Sequence, residues 1–183
     1  MDVKTAAEAI SPERAKELLT HWFHQRGART VAFVQEENPQ PDPDARYTVV
    51  YEARFKPSVL DQAQVEIWVT HDGEVAIGFE TTARIAERLG TKSGRDRFAA
   101  GHEPARMSEA GMLALLDLIA NGDLAIVAIV VPLLGLTGTE AVLLRGDLDA
   151  LKSLGYSPTD WIRKPRTRKS IPSRHLLKFQ PWH

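Results

Sequence analysis

The stretch from Val65 to Leu89, VEIWVTHDGEVAIGFETTARIAERL, constrains this chain more than any other. Val65, Ile67 and Val69 alternate with Glu66, Trp68 and Thr70, and Val75, Ile77 and Phe79 alternate with Glu74, Ala76, Gly78 and Glu80. Successive side chains on a strand point to opposite faces, so each run has one apolar face. Asp72-Gly73 lies between them, and Asp-Gly supplies the positive φ values of hairpin turns. After Glu80 the period changes, and Ala83, Ile85, Ala86 and Leu89 fit a short helix. Thr81 or Thr82 caps its start and Gly90 stops it. Trp68 falls on the otherwise polar face, which makes it either a covered residue or a contact residue.

The flanking sequence extends this unit. Ser11-Pro12-Glu13 is a helix start, and Ala15, Leu18, Leu19, Trp22 and Phe23 follow at helical spacing until Gly27. Thr30 to Gln35 reads as a strand, Glu37 to Ala45 as a proline-rich acidic loop, and Arg46 to Lys56 as a long strand stopped by Pro57. Together with the hairpin these predict a four-stranded antiparallel meander preceded by a helix. Thr91 to Arg106 reads as loop. Ser108 caps a helix over 109–120, with Met112, Leu115, Leu116 and Ile119 inward. Leu124 to Val131 reads as a buried strand, Thr139 to Leu144 as another, and Asp147 to Leu154 as a short helix closed by Gly155. The fold class expected is α+β: an N-terminal helix on a mainly antiparallel sheet of four to six strands, further helices, and a basic C-terminal extension.

Length and charge bound the organisation. The 183 residues suit one domain, expected over 1–160, with a tail over 161–183. All 24 acids lie before Trp161, against 16 Lys and Arg, while the tail holds seven Lys and Arg and no acid. There is no cysteine, so disulfides and thiolate metal sites are excluded. The N-terminus lacks a secretory pattern, and the longest apolar run, Leu124 to Leu136, is short of the roughly 20 residues of a membrane helix. A cytoplasmic location without membrane insertion is expected.

Four sets of residues carry possible chemistry. His21 and His24 share a helix face but lack a third ligand, so no metal or other cofactor is expected. His71-Asp72 and His102-Glu103 pair a base with a carboxylate, yet no nucleophile has a recognisable setting and no phosphate loop occurs, so no catalytic residue is assigned. The segment TTARIAERLGTKSGRDR, Thr81 to Arg97, resembles helix-turn-helix DNA readers at Ala86 and Gly90. It departs from them at Gly94 and Asp96, and a hairpin-capping helix with a solvated basic face fits it better. In the tail, Arg163, Lys164, Arg166, Arg168, Lys169, Arg174 and Lys178 interleave with Trp161, Phe179 and Trp182. Cations among aromatics suit single-stranded nucleic acid. The competing reading docks Leu176, Leu177, Phe179 and Trp182 on the domain.

The function expected is a non-catalytic binding protein of the immunity, inhibitor or adaptor kind, meeting a protein partner through its acidic body. Its contact residues are expected at Glu36, Glu37, Asp42, Asp44 and Trp68. Nucleic-acid binding through the tail is the alternative.

Overall fold

A computed structural model describes residues 9–40, 46–155, 162–163 and 173–183. Helix α1 (Pro12–Arg26) starts where Ser11 accepts from the Arg14 amide at 3.2 Å and ends at Gly27, whose φ of 60° closes it. Strands β1 (Val31–Glu37), β2 (Val49–Pro57), β3 (Val65–Thr70), β4 (Val75–Thr81) and β5 (Phe98–Ala105) form one antiparallel sheet in chain order. Helix α2 (Thr82–Leu89) sits between β4 and β5 in the chain. Helix α3 (Glu109–Ala120) leads into β6 (Leu124–Val131) and β7 (Gly135–Leu143), and α4 (Leu148–Ser153) follows. A second sheet has the order β8-β7-β6-β9, with β8 (Ile162–Arg163) parallel to β7 and β9 (Ser173–Lys178) antiparallel to β6. The α+β class and the mainly antiparallel pairing are as the sequence predicts.

Period two sorts the first sheet. Phe33, Phe55, Val65 and Phe79 make one cross-strand row, and Ala53, Ile67 and Ile77 the next. These face α1, where Ala15, Leu19 and Trp22 are buried against them. One apolar core runs from this layer through Met112, Leu115, Leu116 and Ile119 of α3 to Leu124, Ile126 and Ala128 of β6. Burying each large aliphatic side chain stabilises the fold by about 1.5–3 kcal/mol.

Two expectations need correction. The stretch read as loop, Thr91 to Arg106, contains β5. Gly101 pairs with Gly78, and a Cβ at Gly101 would lie 2.7 Å from the Ile77 carbonyl oxygen, so the closely approaching strand requires glycine. The solvated basic face expected on α2 is also absent. Arg84 and Arg88 keep only 18% and 13% of their side-chain surface exposed. Glu80, fully buried with φ at 53°, draws in Arg84 at 2.9 Å, and the Arg84 guanidinium also donates to the Val59 and Gln62 carbonyls. Arg88 lies over the Phe179 ring and donates to the Lys178 carbonyl. An arginine beside a buried acid and open carbonyls finds better partners inward than in water. No second helix follows Gly90. Asp96 instead caps α2 by accepting from the Ala83 amide at 3.1 Å.

The C-terminal segment is inlaid in the body. The Trp182 ring stacks on Phe55 at 5.4 Å, meets Trp22 edge-on, and donates from Nε1 to the Ala63 carbonyl at 3.1 Å. The His183 carbonyl accepts from the Arg29 and Thr30 amides. Among the described residues no helix is long and apolar enough to cross a membrane.

Candidate functional site

The face of the first sheet turned away from α1 carries the residues left over by the core. Register places Glu36, Glu52, Trp68 and Ala76 in one cross-strand row, and Val34, Arg54, Glu66, Gly78 and Gly101 in the next. Glu52 and Glu66 share one arginine. Arg54 binds Glu52 through Nε and Nη2, the latter donating to Oε2 at 2.9 Å, and lies 3.8 Å from Glu66. Burial, with the Glu52 charge behind it, holds the Glu66 carboxyl above the usual carboxylate range. Glu36, Glu52 and Glu66 against Arg54 and Lys56 leave this patch with one more acid than base beside Trp68.

The aromatic part of the face depends on glycine. A Cβ at Gly78 would lie 2.6 Å from Phe98 Cγ, so the bare backbone there lets the Phe98 ring lie on the sheet. Phe98 then meets Trp68 edge to face at 5.2 Å. Beside this pair runs a groove of about 550 Å³, floored by Ala76, Gly78 and Gly101 and walled by Trp68, Phe98, Tyr47 and Glu103. The Tyr47 hydroxyl donates to Glu103 and holds that carboxylate at the groove's edge. Past Phe98 the surface continues into a cleft between β5 and β7, lined by Arg97, Thr139, Glu140 and Arg163, where Arg163 lies 3.7 Å from Glu140.

A larger cleft of about 630 Å³ lies between the start of α1 and the β1–β2 end. Three of its polar groups are already engaged. Lys16 binds Glu37, and the Tyr51 hydroxyl donates to Gln35 at 3.0 Å. Burial, followed by the Glu37 charge, pushes the Tyr51 hydroxyl up to about 12, so it stays protonated at neutral pH. These engaged groups make it a weaker candidate than the outer face.

The residues predicted as partner contacts are thereby divided. Glu36 and Trp68 share the outer face, whereas Glu37, one residue on, points to the α1 side and binds Lys16. Asp42 and Asp44 lie outside the described residues. Of the tail, Trp161, Lys164, Arg166, Arg168 and Lys169 lie outside them too. Arg174 and Lys178 stand on the edge strand β9, and Trp182 has its faces covered by Phe55 and Trp22. His71 and Asp72 are 3.7 Å apart and almost wholly solvated, a poor setting for a catalytic base. The backbone of His102 lies on β5 and its side chain is outside the described part. His21 and His24 are exposed, and no three His, Cys, Asp or Glu among the described residues gather as a metal ion requires.

Trp68 was visible in the sequence as a large ring on a polar face. Its neighbour Phe98 was missed because it opens a strand read as loop, and the residues around it, Asp96-Arg97 before and two alanines after, carry no strand signal. No family model matches the chain, and neither a curated protein nor a solved structure matches it significantly.

Proposed function

We propose that the chain is a non-catalytic binding protein of the immunity, inhibitor or adaptor kind, acting in the cytoplasm, which holds a basic protein partner against the outer face of its five-stranded sheet. One observation carries the reading: half-buried aromatic rings lie beside carboxylates that outnumber the Arg54 and Lys56 cations among them. Rigid aromatics supply contact area at little entropic cost, and surplus charge steers and selects an oppositely charged partner. Residues before Trp161 carry 24 acids against 16 Lys and Arg, an excess of the same sign that the seven cations of 161–183 offset over the chain as a whole.

The test uses the tagged full chain as bait in its native cells. A stoichiometric protein is expected to co-purify, and Trp68→Ala is expected to weaken its binding by at least about 30-fold, as for a central aromatic contact. Glu36→Lys is expected to slow association, with the effect fading at high salt, while Glu37→Lys on the opposite face changes it little. A partner held equally by all three variants would remove this face from the reading. A single-stranded oligonucleotide recovered in place of a protein would replace the reading altogether.

A further inference from the structure

We infer that the groove beside Trp68 seats an arginine side chain of the partner, its guanidinium lying over the aromatic rings and against Glu103. The inference rests on the proposed function and names the group that the face recognises.

The lining chooses among side chains. Ala76 and Gly101 leave the floor almost without side chains, so a long, thin group reaches the sheet beside the Phe98 ring that covers Gly78. The walls are rings: Trp68 and Phe98 at right angles to each other, with Tyr47 across the opening. Ring faces attract cations, Trp most strongly, and a flat guanidinium stacks on them where a round ammonium cannot. The edge of the groove is a carboxylate held in place by the Tyr47 hydroxyl. A guanidinium adds charge-assisted N–H donors to this carboxylate, which an apolar side chain does not. Further carboxylates stand beside the groove, since Glu52 is directly across from Trp68 in the same row and shares Arg54 with Glu66. The stem of an arginine is apolar and matches the floor, as its head matches the wall and the edge.

The experiment titrates the full chain with N-acetyl-arginine amide and with N-acetyl-citrulline amide, which keeps the shape and loses the charge. The readout is the Trp68 indole N–H resonance, identified by its absence in Trp68→Phe. Arginine amide is expected to shift this signal saturably with a Kd on the order of millimolar, as befits a fragment, and citrulline amide at least about fivefold more weakly. Glu103→Gln is expected to weaken arginine several-fold while leaving citrulline unchanged, which a mere loss of folding would not do. No shift with arginine, or equal shifts from arginine and citrulline, would overturn the inference. So would lysine amide binding as well as arginine. A partner captured through Trp68 together with equal shifts would sink the arginine assignment alone. An arginine-selective shift with no protein captured would sink the docking reading alone.

Discussion

At the scale of single residues, the outer face is built from groups that a core would reject. Glu66 is the clearest. It is covered on a sheet face, close to Glu52, and burial outweighs the Arg54 and Lys56 charges and the Gln64 amide that answer it. Its carboxyl therefore releases its proton at higher pH in the folded chain than in the unfolded one. Between those two values the folded state holds a proton that the unfolded state has lost, so stability falls as pH rises through the window. Glu66→Gln removes that dependence. Urea midpoints of variant and parent are expected to coincide near about pH 3, where both side chains are neutral, and the variant is expected to pull ahead as pH approaches about 7. A variant less stable at neutral pH would show that Arg54 needs both carboxylates. Residues adjacent in sequence can differ sharply here. Glu36 and Glu37 read as one acidic patch in composition, yet strand alternation sends one outward and the other to Lys16.

At the scale of elements, β3, β4 and β5 carry the site, and glycine sets how they do so. Gly78→Ala places a methyl 2.6 Å from Phe98 Cγ and forces the ring off the sheet. The expected cost is about 1–3 kcal/mol, as for overpacking elsewhere, with a shift in the Trp68 resonance because the edge-to-face partner has moved. Chemical denaturation and the indole signal check the two parts separately, and an unmoved indole signal would mean that the ring adapts in place. This also explains what was legible beforehand. The hairpin of β3 and β4 was, since alternation and Asp72-Gly73 agree, and so were α1, α2 and α3, where Ser11, Thr81 and Ser108 each cap a helix start. Strand β5 was not. Gly101 and Pro104 are loop formers by propensity, and only pairing against Gly78 makes a strand of them. The groove inherits that blindness. Trp68 could be singled out from its own strand, but Phe98, Gly101 and Glu103 belong to the strand that local pattern hides.

At the scale of the whole molecule, the two sheets are joined by the end of the chain. Strand β9 completes the second sheet beside β6, and four residues after its end Trp182 is buried under the first sheet. Gln180 donates its amide to the Asp61 carbonyl, Gln62 donates its side-chain amide to the Pro181 carbonyl, and the Trp182 amide donates to the Ala120 carbonyl. The basic composition of 161–183 hides these contacts, because Phe179 and Trp182 bind by shape while the charges around them dominate any reading by composition. An end that merely rested on the surface would fray without consequence. One that wedges an indole between Trp22 and Phe55, with its N–H spent on Ala63, is part of the core. Trp182→Ala is accordingly expected to cost about 3–5 kcal/mol of global stability, the range for a buried aromatic cut to alanine. Trp182→Phe should recover most of the packing but not the hydrogen bond, leaving a deficit of about 1–2 kcal/mol. Amide exchange distinguishes a core role from a local one. Loss of protection is expected to spread to β2 and α1, which hold Phe55 and Trp22, and not to stop at residues 173–183. Loss confined to those last residues would show that the sheets hold together without the indole.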